Sequence, residues 1–135
     1  MDDRSLASAL LLAVRKTAAL LLDKHGSVVP FGATINAAGD DIKSVFPMDQ
    51  HPRAGWEKLL ELVLEDLAER SADESVAALA FATTLESESE LAYAIQVETR
   101  AAAALIMYPY AKAGKSWKIG DGQAQEDLLV DPIFE

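Results

Sequence analysis

Two histidines stand in matching surroundings, Asp23-Lys24-His25 and Asp49-Gln50-His51. Imidazole with a nearby carboxylate suits zinc, because the carboxylate can orient the ring and fix which nitrogen faces the metal. Ligand pairs on one helix come at i,i+3 or i,i+4 spacing, which neither tripeptide has. Nothing in the sequence brings the two tripeptides together. A helix C-terminus also favours a nearby imidazolium, which accounts for His25 without a metal. A metal-dependent enzyme built on His25 and His51 is therefore the third-ranked reading, and no cofactor or metal is assigned.

The run Ala113-Gly114-Lys115-Ser116 ends like a phosphate-binding loop. That motif requires glycine five residues before Gly114, and the residue there is Pro109. It also requires a helix after the serine, whereas Trp117-Lys118-Ile119-Gly120 reads as strand, so the motif is rejected. With no cysteine in the chain, thiolate chemistry and disulfides are excluded. Tyr93, Tyr108 and Tyr110 are residue types that can line a pocket, but aromatics on strands belong more often to the core. No catalytic set emerges.

The carboxylates are unevenly placed. The net charge is -10, and residues 57–98 hold eleven acids against Lys58 and Arg70. Phosphate contacts need Lys and Arg, so nucleic acid is disfavoured as a partner, and anionic membrane surfaces for the same reason. A solvated, solubilising surface explains such a segment in the ordinary case. The sharper expectation is a docking face for a basic protein, formed by Glu57, Glu61, Glu65 and Glu69 on a helix and Glu86, Glu88 and Glu90 at a turn.

The elements that must position these residues follow from periodicity. Residues 5–24 read as a helix with Ser5 as its cap. The stripe is Leu6, Leu10, Val14, Ala18 and Leu21, widened by further leucines to imply burial over much of the circumference. Gly26 is its stop. Val29, Phe31, Ala33 and Ile35 alternate in a first strand, and Ile42 to Phe46 form a second. Pro30 belongs at a strand start or on an edge, and Gly32 marks a bulge or a close backbone approach. Residues 47–52 read as a loop bracketed by prolines. A second helix spans about 53–71 with Trp56, Leu59, Leu60, Val63 and Leu67 inward. Residues 76–85 and 91–99 alternate with period two and read as strands despite their alanines. Residues 103–110 form another strand, ended by Pro109, and 116–120 a possible short one.

This gives an α+β class, one antiparallel sheet of about five strands with two helices on one face, in the order α-β-β-α-β-β-β. Residues 1–135 form one domain, with 121–135 an acidic docking tail whose apolar end, Leu128 to Phe134, packs down. Arg15 and Lys16 cut the N-terminal apolar run below membrane-spanning length. The opening Met-Asp-Asp-Arg lacks the basic start of a signal peptide, so a cytoplasmic location is expected.

The run HGSVVPFGATINAAGD after a leucine-rich helix resembles the opening of a group of small bacterial α+β proteins. The later AIQVETR and MYPY segments are similar too. That resemblance implies an α+β fold and no known activity. The element order alone is similar to profilin-like and roadblock-type domains.

The leading functional reading is a non-catalytic acidic protein-interaction domain of immunity, adaptor or regulatory type. It is expected to bind a basic partner and to form a homodimer through helix surface or an open sheet edge. A small-molecule sensor is the alternative, to be favoured by a cavity lined with Tyr93 or Tyr108.

Overall fold

The computed structural model describes residues 2–86 and 91–134. Helix α1 (Asp3–His25) begins one turn earlier than a Ser5 cap implies. The Asp2 carboxylate accepts from the Ser5 backbone N–H at 2.7 Å, so Asp2 is the cap and Ser5 the capped residue. That bond holds the Asp2 carboxyl below its ordinary value. Gly26, at φ 75°, ends the helix in the left-handed conformation. The buried stripe is Leu6, Leu10, Val14, Ala18 and Leu22. This unbroken four-residue row runs obliquely across the helix, and the sheet beneath it twists. The stripe is narrower than the leucine count suggested, with Leu12 at 53% and Leu20 at 68% exposure. At 23 residues α1 does meet the length and composition of a membrane span, which the sequence reading had denied it. Here its stripe is packed on the sheet.

Strands β1 (Phe31–Asn36) and β2 (Ile42–Val45) form a hairpin. A single turn, α2 (Pro47–Gln50), and helix α3 (Trp56–Ser71) follow. Then come β3 (Val76–Glu86), β4 (Leu91–Thr99), β5 (Ala103–Ala113), β6 (Ser116–Ile119) and β7 (Gln123–Gln125). They make one curled antiparallel sheet of seven strands in the order β2-β1-β3-β4-β5-β6, with β7 pairing further along β5.

This overturns the expectation of about five strands and two helices in the order α-β-β-α-β-β-β. The extra helix is α2, where Pro47 supplies a fixed φ at the first turn, so a bracketing proline starts a helix instead of a loop. Strand β6 is the short strand read over 116–120, left out of the count of five, and β7 is new; at four and three residues both are too short to display a period. Nor do the helices share a face. Ala78, Ala80 and Ala82 of β3 pack with α1, while Leu79 and Phe81 pack with Val63 and Leu67 of α3. Both faces of β3 are therefore buried, and alanine on one side lets α1 lie close. On the other side α3 approaches Gly32, where an added Cβ would meet Leu67 and Val63 side chains at 3.1 Å. Trp56, expected inward, is 45% exposed at the start of α3.

Strand β5 passes through Pro109. The Gly120 N–H donates to the Pro109 carbonyl at 2.8 Å. In an antiparallel ladder a residue's N and C=O face the same neighbour, so the missing N–H of Pro109 faces the joint between β6 and β7. A Cβ on Gly120 would come within 2.9 Å of Pro109 Cγ, which fixes glycine at that joint.

Candidate functional site

Helix α3 buries Leu59, Val63 and Leu67. The positions two residues off that row carry Glu57, Glu61, Glu65 and Glu69, all exposed. One four-residue period thus sets both the anchor row and the acid row. Among the described residues, Glu61 alone of these four has a cation within 4.0 Å, Lys58 at 3.9 Å. Asp66 is bonded by Arg70 one turn on. Glu57, Glu65 and Glu69 face solvent without such a partner among the described residues.

Of the turn residues, Glu86 closes β3. Glu88 and Glu90 lie outside the described residues.

A groove of about 360 Å³ runs between α3, α2 and the end of β2. Glu65, Asp66, Glu69 and Arg70 form one wall, and Gln50 and His51 face them. His51 sits there because its N–H closes the α2 turn on Pro47 O at 2.8 Å. His25 is exposed in the last turn of α1 and does not line this groove. Among the described residues no group of three or more His, Asp or Glu is arranged to hold a metal ion. The groove is open and polar, with one histidine opposite acids and no buried nucleophile, an arrangement suited to docking polar side chains.

Sequence reasoning found the acid row but not the groove. Its far wall is the α2 turn, which Pro47 and the short spacing to Pro52 signal only in retrospect. On the other face of the sheet, Tyr93 stacks on Tyr108 with ring centroids 5.1 Å apart. The Arg15 guanidinium lies 4.9 Å above the Tyr108 ring. Burial pushes both phenols above their ordinary 10.0, against the opposing pull of Arg15. A shallow hollow beside them is lined by Leu12, Arg15, Lys16, Ala19, Tyr93 and Ile119.

The sequence reading also missed Gln96 and Glu98. Both are fully buried on β4, on the face away from α1. Their signal was polarity inside an otherwise apolar strand. No protein-family model, curated protein or solved structure matches this chain.

Proposed function

We propose that this chain is a non-catalytic interaction domain of adaptor, immunity or regulatory type, and that α3 and its groove receive a basic segment of a protein partner. The observation that carries the reading is the acid row Glu57, Glu61, Glu65 and Glu69, exposed at regular spacing and ion-paired only at Glu61 among the described residues, beside a groove walled by two of its members. Such a row steers an oppositely charged partner over distances comparable to the Debye length of about 8 Å at physiological salt. The partner is to be isolated by co-purification from the native cell. Replacing Glu61, Glu65 and Glu69 with Gln should then slow its association, most strongly at low salt, while folding is kept. An unchanged rate with unchanged salt dependence would reduce the row to a solubilising surface.

A second reading, a small-molecule sensor, is favoured by the hollow at Tyr93. Arg15 and Lys16 beside an aromatic wall suit a small anion with an apolar body. Calorimetry with aromatic carboxylates tests it, and Arg15→Ala should remove the heat of binding.

A further inference from the structure

Buried polar side chains on a strand face need partners, and here the partners are backbone groups of one terminal segment. Gln96 Oε1 accepts from the N–H groups of Leu129 and Val130, at 3.0 and 3.2 Å. Gln96 Nε2 donates to Val130 O at 3.1 Å and to Glu98 Oε2 at 3.0 Å. Glu98 Oε1 accepts from Ile133 N–H at 2.7 Å and Phe134 N–H at 3.1 Å. Beyond Glu98, the Arg100 guanidinium lies 4.6 Å from the Phe134 ring. The segment 129–134 thus runs alongside β4, read in turn by three residues of alternating position.

We propose that this face of β4 is a peptide-binding cradle for an extended segment, and that two copies of this chain exchange residues 129–134 through it. The grip is on main-chain N–H groups, together with an apolar seat in which Leu129, Val130, Ile133 and Phe134 pack toward Leu79 and Phe81. Residues 129–134 of this chain meet both requirements in cis, so the occupant in trans is the same segment of a second copy. The connection back to β7 is three residues, 126–128. Among the described residues these make no hydrogen bond to the body, and they border a hollow beneath which lie Leu85, Leu105 and Met107. A short, unanchored connection between a body and a detachable segment is the arrangement that invites exchange. A tethered segment competes at an effective concentration on the order of millimolar, so exchange rises with chain concentration. This inference does not depend on the reading of α3.

The test is complementation between two full-length variants. Phe134→Ala weakens the segment and keeps the cradle. Glu98→Gln keeps the segment and spoils the cradle, because its amide nitrogen would face either the Gln96 amide nitrogen or the N–H groups of Ile133 and Phe134. An equimolar mixture should contain at least tenfold more two-chain species by sedimentation than either variant alone. A mixture no more associated than its components, both folded by circular dichroism, overturns the proposal. If either variant fails to fold, the wild-type chain is instead mixed with a labelled peptide of residues 126–135 at millimolar concentration. Co-elution that unlabelled peptide reverses supports the cradle, and absence of co-elution overturns it.

Discussion

The two faces of the sheet are covered by different physics. Under α1 the contacts are apolar and aromatic, from Leu6 through Phe31, Ile35 and Ile95 to Tyr108, in one continuous cluster. On the other face α3 supplies a smaller apolar cluster, and the remainder is sealed by the terminal segment bonded to Gln96 and Glu98. Apolar packing is non-directional, and its loss cannot be escaped by local movement, because α1 is anchored by a buried row running from Leu6 to Leu22. A polar clamp is directional, and its loss can be escaped if the clamped segment lifts into water. The first face should therefore carry global stability, and the second should open locally.

Leu10 is fully buried under α1. Leu10→Ala should cost about 3 kcal/mol, through lost burial and the cavity left behind. Chemical denaturation reads this as a lowered midpoint with an unchanged slope. Glu98→Gln should cost less, about 2 kcal/mol, because the segment can lift instead of leaving amides buried and unpaired. Its signature is local: the amides of Ile133 and Phe134 lose their exchange protection while those of Leu10 and Ile95 keep theirs. If Glu98→Gln lowered protection evenly through both faces, the contrast between them would be gone.

How much of this was legible in the sequence follows from the same contrast. The α1 row, the first hairpin and the period-two strands were readable, because each shows a regular repeat or is bounded by turn residues. What failed was the count and the layering. Strand β3 is buried on both faces, so Ala78 to Ala82 shows size alternation instead of polarity alternation, and a second layer of helix was not inferred. Strands β6 and β7 carry exposed Lys118, Gln123 and Gln125 and are defined by pairing with β5, not by their own pattern. The acid row was visible because exposed charge is a property of single residues. The groove and the clamp were not, because both join segments far apart in sequence, such as Gln96 with Val130.

The edges bear on the expected homodimer. Strand β2 is four residues long and bears an exposed lysine, Lys43, and β6 is equally short, with Lys118. Strand β7, paired to β5 alone, is a further edge of only three residues; edges this short, two of them lysine-bearing, resist strand-to-strand pairing between copies. An open edge is thus a poor route to self-association in this fold.

A smaller effect separates the faces by pH. Tyr93 and Tyr108 lie on the α1 face, and burial raises both above 10.0. The unfolded chain then loses these protons first, so it binds fewer protons than the folded chain above pH 10. Stability contributed by the neutral phenols is complete below that pH and is lost as pH rises through the raised folded values. The denaturation midpoint should be level from pH 8 to about 10 by this argument and fall above it. Tyr108→Phe should make the alkaline fall shallower. A variant that falls as steeply as the wild type would show that other groups govern the alkaline limb.

The smallest expected change is on the outer side of α3, and its sign matters more than its size. Glu65 has Glu61 one turn before it and Glu69 one turn after, both exposed. Like charges at that spacing destabilise a helix by about 0.2–0.5 kcal/mol per pair. Lys58, at 3.9 Å, offsets the charge of Glu61 but has no such contact with Glu65. Glu65→Gln should therefore leave stability unchanged or raise it by up to about 0.5 kcal/mol at low salt. The gain should vanish near 1 M salt, where the Debye length is about 3 Å. Leu12→Gln on the outer side of α1, a half-exposed site, provides the matched control and should also be nearly silent. A repulsive row that costs a little stability is what a surface kept for a partner looks like. Should Glu65→Gln instead cost 1 kcal/mol or more, about the worth of a hydrogen bond, the carboxylate would be holding the fold together, and the groove would lose its claim to be a docking face.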